Sequence, residues 1–175
     1  MTTATPPQLF EGSGQQGSAR PSHSVSGDAQ SLLDLMYDGF YLLFLLKAKH
    51  APADAEEFRE RIKRFLTSFE RGATRLQAHA DDVYLCKYAF CATVDEAVLM
   101  SGFKAREAWQ RLPLQVQFFG EQLAGEQFFE KLETLRHEGA SRLQVLEVFH
   151  MCLLLGFQGK LRTTDHMNNS DSFFF

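Results

Sequence analysis

Apolar residues in this chain recur every three to four positions from about residue 28 to residue 162, the spacing of amphipathic α-helices. Residues 31–49 are apolar on nearly every side, so we expect the first helix to be buried. The next apolar segment has a single stripe, with charged residues largely on the opposite face. The stripe consists of Phe58, Ile62, Phe65, Phe69, Ala73 and Leu76. No segment shows the alternation of a strand, so the pattern predicts an all-α domain.

Three further apolar segments predict helices, at about residues 81–100, 125–137 and 142–156. A shorter helix is expected around Trp109, and Pro113 interrupts the pattern there because proline lacks a backbone donor. The order of these segments predicts a helical bundle.

Two helix starts have recognisable end signals. Ser31 with Asp34 resembles a capping box, in which each residue satisfies a free N–H group of the first turn. Pro52 suits the first turn of the second helix, and acidic residues follow it at the positive end of the helix dipole.

The two ends of the chain lack this periodicity. Residues 1–27 are rich in Gly, Ser, Gln and Pro, a composition that buries too little apolar surface to order the chain, and we expect a disordered tail. Residues 163–175 are expected to form an irregular C-terminal tail. The predicted folded domain is therefore 28–162.

Composition narrows the class of protein. The chain has 175 residues, of which 45% are hydrophobic, enough for one domain with a sizeable core. Its net charge of -4 argues against a general nucleic-acid binder. The three cysteines lie in helical patterns, which indicates a reducing compartment and no disulfide framework. Residues 1–10 have no signal-peptide pattern.

The first helix is a poor candidate for a membrane span. Its apolar run is shorter than the roughly 20 residues needed to cross a bilayer. Asp34 and Asp38 interrupt it, and aspartate is costly in lipid. A core helix is the better interpretation.

The segment from Gly156 to Lys160 has glycines and a lysine but not the spacing of a phosphate-binding loop. Two residues separate Gly156 from Gly159, where a P-loop has four, and no hydroxyl residue follows Lys160. We expect the glycines to end the last helix with positive φ, and we expect no nucleotide to bind.

No catalytic or metal-binding constellation is apparent. None of the six histidines pairs with His, Cys or Glu at metal-ligand spacing. No Gly-x-Ser-x-Gly elbow is present. The sequence predicts no metal, no cofactor and no enzyme activity.

Asp95 and Glu96 are out of place because each continues an apolar stripe of the third helix near its C-terminal end. Carboxylates there oppose the helix dipole, and burying one without a partner costs more. An internal partner such as Lys104 or Arg106 would compensate, and so would a partner protein. On these residues alone, an internal ion pair or exposed cap is favoured over a docking site. An acid/base pair for catalysis comes third.

Four motifs in order carry a family resemblance. They are KYAFCATVDEAVL (87–99), Trp109, FFGEQLAGEQFFEKLETL (118–135) and LEVFHMCLLLGFQGKLR (146–162). In order and spacing they resemble the DotU/TssL family (IcmH/DotU), inner-membrane components of type VI and type IVb secretion systems. The resemblance covers about 32–162, nearly the whole predicted domain.

The resemblance implies a fold of two small helix bundles in a hook-like arrangement with a cleft. It implies a non-enzymatic component of a membrane complex with TssM and TssJ, at the cytoplasmic face of the bacterial inner membrane. TssK-like and TssE-like baseplate proteins are the implied cytoplasmic partners, with self-association as a further candidate. The family's C-terminal membrane anchor is not found after Arg162, so this chain is expected to be soluble.

The resemblance also implies roles for individual residues. Asp95 and Glu96 match an acidic motif at the cleft, which favours docking of a partner. The signature turn matches Gly156, Phe157, Gly159 and Lys160, with Phe157 folding back on the core. Three alternatives stay open: an enzyme using Asp95 and Glu96 as acid and base, an acidic pair that is only structural, and a type IVb component.

Overall fold

The computed structural model of the protein describes residues 29–48, 54–104, 106–121 and 124–159. The predicted tails at 1–27 and 163–175 lie outside the described residues, so the domain boundaries stay predictions. Pro52 and Lys160 also lie outside them.

The described residues contain seven α-helices. They are α1 (Leu32–Lys47), α2 (Ala55–Arg75), α3 (Ala80–Met100), α4 (Arg106–Arg111), α5 (Leu114–Phe119), α6 (Ala124–Glu138) and α7 (Leu143–Leu154). A short 3₁₀ helix, Gly139–Arg142, joins α6 to α7. The described residues contain no strand, and the all-α prediction is confirmed. The sequence pattern did not predict α5 as a separate helix.

Side-chain caps begin the first two helices. The Ser31 hydroxyl accepts a hydrogen bond from the Asp34 N–H at 3.1 Å, as the capping pattern predicts. The Asp34 carboxylate accepts in turn from the Gln30 N–H at 3.0 Å, one residue before the expected partner. In α2 the Asp54 carboxylate accepts from the Glu57 N–H at 2.8 Å.

Helix α3 lies at the centre of the fold and contacts all six other α-helices. From Tyr88 to Asp95 every residue of α3 is buried. One continuous apolar core therefore surrounds α3, and a polar side chain on this helix must find its partners inside the protein.

The prediction that α1 is buried on nearly every side is wrong for one face. Tyr37, Tyr41 and Phe44 are 63%, 61% and 58% exposed, while Met36, Phe40 and Leu43 of the opposite face are buried. Hydrophobicity alone could not distinguish the two faces, because both are apolar.

Gly39 allows α1 to approach two aromatic rings, and its replacement by alanine is expected to destabilise the fold by about 1–3 kcal/mol through overpacking. A Cβ atom at Gly39 would lie 2.5 Å from Phe65 Cζ and 2.8 Å from Phe90 Cε2. Gly102→Ala is the matched control, since no atom lies within 4 Å of its Cβ position. Urea unfolding measures both changes, and equal midpoints for the two variants would contradict the packing argument.

Candidate functional site

Asp95 is a buried residue of α3, and both of its carboxylate oxygens accept hydrogen bonds inside the protein. The residue is 5% exposed. Oδ1 accepts hydrogen bonds from the Trp109 indole at 2.8 Å and from the Leu114 N–H at 2.9 Å. Oδ2 accepts from the Gln115 N–H at 2.9 Å. One carboxylate therefore holds both α4 and α5 against α3.

Asp95 supplies the N-terminal cap that α5 lacks locally. The residue before α5 is Pro113, which has no side-chain acceptor for the free N–H groups of the first turn. The carboxylate from α3 accepts from the first two of these groups, on Leu114 and Gln115. Lys104 and Arg106, the internal partners suggested for the acidic residues, are both exposed, and neither forms an ion pair within 4.0 Å among the described residues.

Arg59 completes this buried polar cluster from α2. It is 4% exposed, and its guanidinium carbon lies 4.5 Å from the centre of the Trp109 ring. It also donates a hydrogen bond to the Leu112 carbonyl. Gln115 is buried as well, and its amide donates to the Tyr88 carbonyl at 2.8 Å. Four helices thus meet around this polar cluster, in which the Asp95 carboxylate has three donors while Arg59 Nε and Gln115 Oε1 have no hydrogen-bond partner among the described residues.

Sequence reasoning missed Arg59, although the signal is present. Arg59 lies on the same helical line as Ile62, Leu66 and Phe69, which are all buried. The argument that singled out Asp95, a charge that continues an apolar stripe, applies equally to this arginine.

Burial raises the pKa of Asp95 to about 6 from an ordinary value of 3.8. The hydrogen bonds from Gln115, Leu114 and Trp109, and the positive charge of Arg59, act in the opposite direction. The cost of removing the carboxylate from water is therefore the larger effect.

This raised pKa predicts a pH dependence of stability. The folded state binds the proton of Asp95 more tightly than the unfolded state, so protonation of Asp95 stabilises the fold. This stabilisation is fully present below about pH 3.8 and is lost as pH rises through about 6. The change amounts to at most about 3 kcal/mol. We expect the free energy of unfolding of the wild type to fall from pH 4 to pH 6.5 relative to Asp95→Asn, which does not titrate there. A constant difference between the two proteins would contradict the assignment.

Glu96 contacts a different part of the protein. Its two carboxylate oxygens accept hydrogen bonds from the Gln158 N–H at 2.9 Å and the Gly159 N–H at 2.6 Å. Glu96 is partly buried, so α3 anchors the turn that follows α7. The two neighbouring carboxylates therefore serve two separate internal contacts and do not converge on one pocket.

The turn after α7 has the geometry predicted for a helix end. Gly156 and Gly159 have φ angles of 85° and 48°, so the predicted positive φ is confirmed. The Gly156 N–H donates to the Leu153 carbonyl at 2.8 Å and the Phe157 N–H to the Cys152 carbonyl at 3.1 Å. This pair of bonds is a Schellman motif, and it satisfies carbonyls that the helix leaves free.

Phe157 folds back on the core, as predicted. It is 6% exposed, and its ring centre lies 4.3 Å from that of Phe128. A Cβ atom on Gly159 would lie 3.0 Å from the Gly125 carbonyl, so the absence of a side chain there permits close packing on α6.

The described residues offer little for catalysis or metal binding. No group of three or more His, Cys, Asp or Glu among them is placed to hold a metal ion. Cys86, Cys91 and Cys152 are buried free thiols, and burial raises the pKa of Cys152 to about 12. In the described part of the chain, no helix combines the length and apolar character needed to cross a membrane.

Comparison with known proteins decides the family. The sequence profile of the type VI secretion system protein DotU matches residues 31–171. The chain belongs to the DotU family. The match extends beyond both ends of the predicted resemblance and includes the acidic pair and the signature turn.

Two solved structures share the fold. The cytoplasmic domain of TssL from Acinetobacter baumannii is 48% identical, with a TM-score of 0.72 over 79% of this chain and 92% of that one. The crystal structure of SciP/TssL of the type VI secretion system from enteroaggregative Escherichia coli 042 is 26% identical, with a TM-score of 0.67 over 74% of this chain and 75% of that one. A comparison with curated protein sequences gives no match. The DotU-family chain is thus a type VI secretion component with the all-helical fold of a TssL cytoplasmic domain.

Proposed function

We propose that this DotU-family chain is a non-enzymatic assembly component that docks other proteins of the type VI secretion apparatus. The observation that carries this proposal is its likeness to the A. baumannii TssL cytoplasmic domain, which spans 92% of that domain at 48% identity. The family description names type VI secretion, which favours this system over the type IVb alternative. The proposed location is the cytoplasmic face of the inner membrane, and the proposed partners are TssM-like, TssK-like and TssE-like proteins.

The geometry of the acidic pair supports a scaffold rather than an enzyme. A general acid and base must reach the same substrate atoms. Asp95 instead binds the start of α5, and Glu96 binds the turn after α7. The direct docking role of these two residues stays a prediction. The contacts favour an indirect role, in which both carboxylates position the helices and turns that form the surface.

The test is a binding measurement with purified proteins. The full chain is immobilised and titrated with a TssK-like baseplate protein, a TssE-like protein and the cytoplasmic segment of a TssM-like protein encoded beside it. We expect saturable binding to at least one of them. If the chain is folded by circular dichroism and binds none of the three proteins, the docking function is contradicted.

A further inference from the structure

The exposed face of α1 carries an aromatic stripe made of Tyr37, Tyr41 and Phe44. These residues are spaced by four and three positions, so their side chains lie along one line of the helix. All three are more than half exposed. Single exposed apolar residues are ordinary, but a continuous aromatic patch on one face indicates an interaction surface.

A groove of about 1090 Å³ lies beside this stripe, between α1 and α2. Its lining includes Tyr37, Tyr41, Arg61, Arg64, Phe65 and Arg75. The groove combines an aromatic wall from α1 with a basic wall from α2. Tyrosine and arginine are the residue types that most often carry binding energy at protein interfaces.

The charges of the groove are unequal. In the described part of the chain, Arg61, Arg64 and Arg75 form no ion pair within 4.0 Å. Two carboxylates, those of Asp34 and Asp38, lie on the α1 side, and the Asp34 carboxylate accepts a hydrogen bond from the Gln30 N–H. Three guanidinium groups therefore face two carboxylates, which leaves one positive charge in excess, and the groove favours a ligand that brings carboxylates of its own.

We propose that this α1–α2 groove binds an acidic segment of a partner protein. Apolar side chains of the segment pack on the aromatic stripe, and its carboxylates pair with the arginines of α2. The inference rests on the proposed docking function and names the surface that carries it. This surface is separate from Asp95 and Glu96, which do not line the groove and whose carboxylates bind the start of α5 and the turn after α7.

The test compares charge reversal inside and outside the groove. Arg61→Glu/Arg64→Glu is measured against the partner that binds the wild type among the TssM-like, TssK-like and TssE-like proteins. We expect at least a tenfold loss of affinity, since attraction becomes repulsion, with an unchanged melting temperature. Arg71→Glu is the matched control, because Arg71 is exposed on the same helix and does not line the groove. It should change the affinity less than twofold.

A second pair of variants tests the aromatic wall. Tyr37→Ala/Tyr41→Ala should also weaken binding at least tenfold, because aromatic anchors lose their contact area. Leu154→Ala is its control, since Leu154 is an exposed apolar residue of α7 outside the groove.

The outcomes separate this inference from the proposed function. If the wild type binds a partner and the groove variants bind equally well, docking occurs elsewhere and only the groove assignment is wrong. If the wild type binds none of the proteins, the docking function itself fails. A dimer in sedimentation that Tyr37→Ala/Tyr41→Ala abolishes, with partner binding intact, would assign the groove to a second copy. If a peptide of residues 1–27 binds the chain that lacks them and Arg61→Glu/Arg64→Glu abolishes that binding, while the partner binds the groove variants as well as the wild type, the groove is assigned to the chain's own segment.

Discussion

Asp95→Ala is expected to lower the free energy of unfolding by about 3–5 kcal/mol, a large share of the total stability of a domain of this size. The alanine leaves three N–H donors without an acceptor in a buried site: the Trp109 indole and the amides of Leu114 and Gln115. Each unsatisfied buried donor costs about 1–3 kcal/mol. Urea unfolding followed by far-ultraviolet circular dichroism measures the loss.

Two controls test whether the hydrogen bonds cause this loss. Asp95→Asn keeps one acceptor oxygen, so its cost should be well below that of alanine. Glu107→Ala, an exposed carboxylate on α4, should change stability by less than about 0.5 kcal/mol. An Asp95→Ala protein as stable as Glu107→Ala would mean that Asp95 does not support α4 and α5. Charge reversal at both Asp95 and Glu96 should unfold the domain, so a loss of binding in that variant would not by itself locate a docking site.

Phe157→Ala is expected to cost about 3–5 kcal/mol, because it empties a large buried site beside the rings of Phe128 and Phe129. It also removes the apolar contact that accompanies the Schellman turn. Thermal unfolding by circular dichroism and urea titration both report the loss.

Leu154→Ala is the matched control for the signature turn. Leu154 is apolar and close in sequence, but it is 65% exposed, so its truncation should change stability by less than about 0.5 kcal/mol. Similar losses for the two variants would mean that the turn after α7 does not pack on the core.

The sequence predicted most of this fold because the longer helices are marked by their apolar residues. Helices α2, α3, α6 and α7 were found near their observed bounds. The regular stripe of α2 records which side of that helix meets the core, whereas α3 was found as a long segment that is apolar on most sides. Helix α5 was not found. It has six residues, follows a proline and is capped by a residue 19 and 20 positions earlier, so no local signal marks its start.

The site was predicted only in part. The sequence showed that Asp95 and Glu96 interrupt apolar stripes and that each carboxylate needs a hydrogen-bond or charge partner. It could not show which groups are those partners, because backbone N–H groups have no sequence signature. The geometry of Gly156 and Gly159 was predictable since glycine and positive φ are closely linked at helix ends.

The cap that α5 receives from α3 bears on the order of folding. A helix of six residues is too short to persist alone in water, and its cap belongs to a different helix. Helix α5 therefore forms only once α3 is in place, and it has no stability of its own to lose gradually. The amides of Leu114 and Gln115 are protected only while α5 is docked on Asp95, so their exchange with solvent should report on the contact between α5 and α3 and not on the length of α5.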